Sequence, residues 1–223
     1  MKKNSRTLLL IGLAVSTTLA CGVFNQLLDS GGDTSTVDTS NILFQDDFSD
    51  PDTGWDRYSD DSGLTDYADG AYRITINQDT YFFWATPYLD FPHDVVIDVD
   101  VTKVSGDDEN EMGIICRHQD EENFYVLAIG TDGLAAIRKR YLGNDLEAIG
   151  DGWVESASIN TGEATNHLRA ECVGDTLSLY VNGQLAVQAT DSDIFSGDAG
   201  LLAGTFEHPS LDVLFDNFVV KAP

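Results

Sequence analysis

The segment Val95-Val-Ile-Asp-Val-Asp-Val-Thr102 decides the fold, because Val95, Ile97, Val99 and Val101 alternate with Val96, Asp98, Asp100 and Thr102. A two-residue repeat sends successive side chains to opposite faces, so this is a strand with one buried face. Working outward, similar strands are expected at Glu111 to Arg117, Phe124 to Ile129, Leu134 to Tyr141, His167 to Val173, Thr176 to Val181 and Leu211 to Lys221. Asp132-Gly133, Gly174-Asp175 and Asn182-Gly183 are the short pairs that close hairpins between them. No segment carries a convincing helical period. About twelve strands in some 180 residues predict an all-β, two-sheet jelly-roll sandwich.

The amino terminus has a different character. Lys2, Lys3 and Arg6 precede an uncharged run from Leu8 to Ala20, too short to span a bilayer as a helix but suited to the core of a signal peptide. The run closes on Thr18-Leu-Ala-Cys21, which resembles the lipobox of a bacterial lipoprotein. That resemblance implies cleavage before Cys21, acylation of its thiol and new amino terminus, and a lipid anchor in the bilayer of the cell envelope, on its extracytoplasmic side. Two or three acyl chains make such an anchor effectively permanent. From Gly22 to about Asn41 the chain turns to Ser, Thr, Gly and Asp and reads as a flexible tether. The expected organisation is a signal peptide over 1–20, lipidated cysteine and tether over 21–41, and one β-sandwich domain over 42–223.

The chain carries 12 Lys and Arg against 38 Asp and Glu, for a net charge of −26. Nucleic acid as a partner is excluded by this balance, since phosphate binding needs a basic face. The acidity suits solubility and, as a functional reading, Ca²⁺, whose ligands are carboxylate and carbonyl oxygens. With Cys21 lipidated, Cys116 and Cys172 remain. Each lies in phase with apolar neighbours of its strand, so both should enter the same core and pair in an oxidising compartment; two buried free thiols are the alternative.

Several phrases then combine: Phe44 to Phe48 with Gly54-Trp55, Gly113-Ile-Ile-Cys-Arg117, and Asn123-Phe-Tyr125. His167 to Cys172, Leu177-Ser-Leu-Tyr-Val-Asn-Gly183, Ala199-Gly-Leu201 and Phe215-Asp-Asn-Phe218 continue them. Their order over residues 42 to 221 resembles the concanavalin A-like lectin/glucanase superfamily, in particular its laminin G-like and 3-keto-disaccharide hydrolase branches. The phrases are mostly structural. In one of them Leu177, Leu179 and Val181 should face the core, Asn182-Gly183 should form a type I′ turn, and Leu185 and Val187 should return to the core.

Glucanases of that superfamily carry closely spaced acids on one strand, which this chain does not reproduce. Asp98-Val-Asp100 lacks the glutamates and Glu109-Asn-Glu111 begins beside a turn. No nucleophile elbow or zinc spacing is present. Calcium is better supported, by Asp47, Asp50 and Asp52 in a loop that would approach Asp216 if the first and last strands are neighbours. For a glycan, the aromatic run Tyr81-Phe-Phe-Trp84 places two rings outside the core, and Phe82 with Trp84 could stack on pyranose faces. Arg117, Arg138 and Arg140 could line the same concave sheet. The expected function is a membrane-anchored, non-catalytic carbohydrate- or envelope-binding module. The alternatives are a glycoside-active enzyme using carboxylates and His118, and a structural or protein-interaction module.

Overall fold

In the computed structural model, which describes residues 41–223, the Val95–Thr102 segment lies in a twelve-residue strand that buries Val95, Ile97, Val99 and Val101 between two sheets. The expected signal peptide, Cys21 and the expected tether up to residue 40 lie outside the described residues. Fifteen strands, numbered in chain order, form two antiparallel sheets among the described residues.

The nine-stranded sheet runs β13 (Gln184–Thr190), β12 (Thr176–Val181), β11 (Thr165–Val173), β6 (Val95–Gly106), β15 (Leu211–Lys221), β4 (Ala71–Ile76), β3 (Gly63–Ala68) and β2 (Tyr58–Asp60). β1 (Ile42–Asp46) pairs with the second half of β15, while β4 takes its first half. At the end of that pairing the Ala222 amide donates to the Asn41 carbonyl at 2.9 Å, and Asn41 Nδ2 donates to the Ala222 carbonyl at 3.0 Å. The six-stranded sheet runs β10 (Glu147–Glu155), β9 (Leu134–Arg140), β8 (Asn123–Gly130), β7 (Glu111–Asp120), β14 (Asp198–Thr205) and β5 (Tyr81–Ala85).

The core between the sheets follows the alternation. From the nine-stranded sheet come Ile97, Leu168, Leu177, Leu179 and Phe215, and from the six-stranded sheet Ile114, Leu127, Ile137 and Leu201, all without solvent exposure. Each contributes roughly 1.5–3 kcal/mol on leaving water. The Asn182-Gly183 turn has φ of 51° and 81°, the two positive values that a type I′ hairpin requires. Beyond it one expectation changes. The β12–β13 register slips at Ala186, so Val187 is buried but Leu185 is turned to solvent.

Near the start of the domain, Asp46 is buried and accepts from the Phe48 amide at 2.8 Å and from Trp55 Nε1 at 3.0 Å. Trp55 in turn meets Phe218 edge-on at 4.9 Å. This plug fixes β1 against β15 and accounts for Phe44–Phe48 and Gly54-Trp55 as structural phrases. The strands beyond the expected twelve are short or irregular. β10, Glu-Ala-Ile-Gly-Asp-Gly-Trp-Val-Glu, holds Gly150 and Gly152 at positive φ and breaks register with β9, so no alternation marks it.

Cys116 of β7 and Cys172 of β11 form a disulfide that joins the two sheets. Both sulfur-bearing residues are fully buried. Such a bond belongs to a chain folded in an oxidising, extracytoplasmic compartment. Closing a segment of 56 residues, it should contribute about 2–4 kcal/mol. Replacing both cysteines by alanine should therefore lower Tm by roughly 4–16 °C. An unchanged Tm on calorimetry would contradict a cross-sheet bond of this kind.

Candidate functional site

The six-stranded sheet carries buried apolar residues on both faces. On the face turned away from the core, Ile115, Phe124, Val126, Ala128 and Leu202 are fully buried, flanked by half-buried Phe82, Trp84, Leu146 and Trp153. The segment after β9 folds over one side of this outer face, where Leu146 and Trp153 pack on it. The other side, toward β14 and β5, stays open as a groove of about 890 Å³.

The groove floor is aromatic. Phe82 and Trp84 leave the core, as alternation along β5 requires, while Phe83 and Ala85 enter it. Their ring centroids are 5.7 Å apart; Trp84 stacks on Phe124 at 6.3 Å and 30°, and Phe124 lies 5.6 Å from the His118 ring. Arg140 lays its guanidinium 5.9 Å from the Phe82 centroid. Arg138 sits 5.6 Å from the Phe206 centroid, donates to the Leu146 carbonyl and forms an ion pair with Glu111.

Glu111 is buried, and burial pushes its carboxyl above the ordinary range against the pull of Arg138. Gly204 leaves room for it, since a Cβ there would lie 2.8 Å from Glu111 Oε1. Four buried polar atoms of this region have no hydrogen-bond partner: Glu111 Oε2, Arg138 Nε, Arg140 Nε and His118 Nε2. Orphaned groups of this kind are costly and mark places where a polar ligand would be welcome.

Of the expected binding residues, Phe82, Trp84, Arg138 and Arg140 are brought together on this face. Arg117 is not. Its φ is +56°, and the register of β7 shifts here against both neighbouring strands, so a bulge turns the side chain off the outer face. Its buried guanidinium donates to the carbonyls of Ile194 at 3.1 Å and Gly174 at 2.7 Å. The residue after the bulge, His118, takes the place in the groove instead. Burial lowers the His118 pKa below its ordinary 6.5, opposed by the charges of Asp120, Asp56 and Glu121, which keeps the ring neutral at pH 7.

Five carboxylates line the groove, Asp56, Asp90, Asp120, Glu121 and Asp198, none of which the sequence singles out, and two of them are held in place by the chain around its end. Asp56 accepts from the Thr86 amide at 3.1 Å and from the Tyr88 hydroxyl. Asp198, on β14 opposite His118, accepts from the amides of Leu89 at 3.0 Å and Ala199 at 2.8 Å. Phe124 and these aspartates carry no spacing motif, and Glu111, from the Glu109-Asn-Glu111 pair set aside above, enters the face as the partner of Arg138. The nearest signal was Phe124, which alternates with core-facing Tyr125 in a strand too apolar to have a solvent face.

The expected calcium carboxylates do not converge. Asp47 accepts from the Ser49 amide and hydroxyl and Asp50 from the Asp52 amide, each within its own turn, and Asp216 accepts from the adjacent Asn217 amide inside β15. Among the described residues no three His, Cys, Asp or Glu side chains are grouped to hold a metal ion. Asp98 and Asp100 lie on the far face of the nine-stranded sheet, engaged by His167, Lys221 and Asn217.

Asp198 makes a pH prediction. Burial raises its pKa to about 6, with the two amides pulling the other way. The fold thus holds the proton more tightly than the unfolded chain does, so the stability this group contributes is complete below pH 4 and lost as pH rises through about 6. Relative to wild type, Asp198→Asn should gain on the order of 2–3 kcal/mol between pH 4 and 7.5. Denaturant unfolding at both pH values measures this difference, and a constant offset between the two proteins would contradict it.

The sequence matches no protein-family model and no curated protein. Solved structures do resemble it. The carbohydrate-binding module CBM66 of Bacillus subtilis aligns with a TM-score of 0.62 at 19% identity, over 76% of this chain and 96% of that one. A Bacillus subtilis protein of unknown function with a galectin-like fold gives 0.60 at 13%, over 82% and 96%. The β-glucanase of Bacillus licheniformis gives 0.56 at 12%, over 83% and 99%. At these identities the likeness concerns the fold, and the chain is an all-β, two-sheet sandwich of the concanavalin A-like kind, an architecture shared by carbohydrate-binding modules and glycanases.

Proposed function

We propose that this chain is a membrane-anchored extracytoplasmic protein whose sandwich binds a carbohydrate on the outer face of the six-stranded sheet. One observation carries the reading: the half-buried rings of Phe82 and Trp84 line an open groove, backed by the buried Phe124 ring, with the unpartnered Nε2 of His118 beside them. Sugar rings have an apolar C–H face and a polar edge, so they match a floor of rings with donors and acceptors at its border. Such a site holds its ligand by stacking and oriented hydrogen bonds and requires no reacting group. The galectin-like and CBM66 folds supply a precedent for the architecture alone.

Anchoring follows from the lipobox resemblance at Thr18-Leu-Ala-Cys21, and the disulfide agrees with export. The lipid bilayer is then a partner through acylated Cys21. Cys21→Ser should move the chain from the membrane fraction to the soluble fraction, read by detergent partitioning. Retention of that variant in the membrane fraction would refute the anchor.

Glycan binding is tested on the full chain by an array and by affinity electrophoresis. Trp84→Ala should weaken retention roughly thirtyfold, the loss expected when a central aromatic contact of about 2 kcal/mol is removed. Circular dichroism of the variant confirms that the sandwich is intact. Binding that survives Trp84→Ala would place the ligand elsewhere, and absence of binding to every glycan would leave the protein-interaction reading.

A second reading, an enzyme acting on glycosides, is favoured by the groove's end. There a neutral His118 with a free Nε2 faces the strand that carries Asp198, whose proton is held to about pH 6. A base and an acid on one groove are the pieces of proton-transfer chemistry. Turnover of oxidised disaccharides, abolished by His118→Ala, would establish it.

A further inference from the structure

The cations of the domain are almost all spoken for. Nine lysines and arginines lie between Arg57 and the carboxyl terminus, and seven of them stand in ion pairs with aspartate or glutamate. Arg117 spends its guanidinium on two backbone carbonyls. Arg140 is left, with no ion pair and no side-chain hydrogen bond among the described residues. In a chain with 38 carboxylates this is not for want of partners.

The surroundings of Arg140 say what it lacks. Its Nε is out of solvent without an acceptor, and its guanidinium lies against the Phe82 ring. Contact with an aromatic face offsets part of the cost of partial dehydration but satisfies none of the five N–H donors. A guanidinium cannot discharge the problem by losing its proton. Its geometric complement is a planar or tetrahedral oxyanion that takes two parallel N–H bonds. Arg138, the neighbouring guanidinium of the same strand face, has this complement in Glu111.

We propose that the ligand is an anionic glycan, a sugar bearing a carboxylate or sulfate, with the anion received by Arg140 and the sugar ring lying on Phe82 and Trp84. This rests on the carbohydrate reading above and narrows it. Rings 5.7 Å apart beside the guanidinium require the anion to be attached to a body with an apolar face. A free inorganic anion would leave that floor uncovered. The strongly negative net charge and the five carboxylates that line the groove argue against general capture of polyanions, and confine the anion to one local contact at Arg140, beside Phe82 and outside that lining.

The test uses the full chain and matched ligand pairs: oligomers of galacturonate and of glucuronate, each as free acid and as methyl ester, and a sulfated galactan with its desulfated form. Isothermal titration should give wild type a preference of roughly tenfold or more for the charged member of at least one pair, and the pair identifies carboxylate or sulfate. Arg140→Gln should bring that ratio close to one, and Arg140→Lys should restore part of it. Equal affinity for both members of every pair, lost on Trp84→Ala, would overturn the anionic assignment and leave the carbohydrate reading standing. A charge preference that persists in Arg140→Gln would overturn the assignment to this residue. No binding of any member would overturn both.

Discussion

A bulge in β7 organises this molecule. Cys116 faces the core, and without the bulge Arg117 would face the groove and His118 would be driven inward. With φ at +56° Arg117 instead stays off the outer face, ties the loops at Ile194 and Gly174 through its guanidinium, and hands the outward position to His118. The disulfide lies immediately before the irregularity, so the two sheets are joined covalently and by an arginine within two residues of each other. The buried guanidinium holds two carbonyls through its terminal nitrogens without a counter-ion, while its Nε has no partner; dehydration lowers its pKa, opposed by Tyr125, Asp94 and Asp175.

The second constraint is that the outer face of the six-stranded sheet has an apolar centre, with its polar groups only around it. β14, Asp198–Thr205, is buried at every position, and β8 nearly so. An open antiparallel sheet usually presents polar residues on the side away from the core. Here one side is covered by the segment carrying Leu146 and by Trp153, pinned through Arg138, and the remainder is a groove rather than a flat patch. Exposed apolar surface of this kind is kept where something binds. The floor, the orphaned polar atoms and the unpaired guanidinium thus have a common origin in one sheet face that is only half covered.

Much of the fold was legible because alternation is a local property. β6, β11, β12 and β15 bury one face each, and their sequences state it; Asn182-Gly183 names its turn type outright. Bulges are not legible in this way, since a slip of one residue leaves composition unchanged while reversing every side chain beyond it. That is why Leu185 and Arg117 were expected on the wrong side. In the site, Phe82 and Trp84 could be read from the aromatic run in β5, and Arg138 with Arg140 from their spacing in β9. Glu111, Phe124 and Asp198 could not, because their roles depend on strands far apart in sequence meeting across the sheet. The aspartates near residue 50 resemble ligands by density, but Asp47 and Asp50 serve the turns they sit in.

The adjacency of Asn41 and Ala222 has a mechanical meaning. β1 and the second half of β15 run antiparallel from that point, with Ile42 opposite Lys221 and Asp46 opposite Phe218. A pull applied between residues 41 and 222 would open the pairs one after another, as a zipper does, at low force. A pull along β1 against the body of the sandwich would load the same pairs together, with the Asp46–Trp55 plug behind them, and would meet far more resistance. A domain with this edge is soft to being stretched between its own ends and stiff to being dragged by one of them, which is the asymmetry of a tensile fitting.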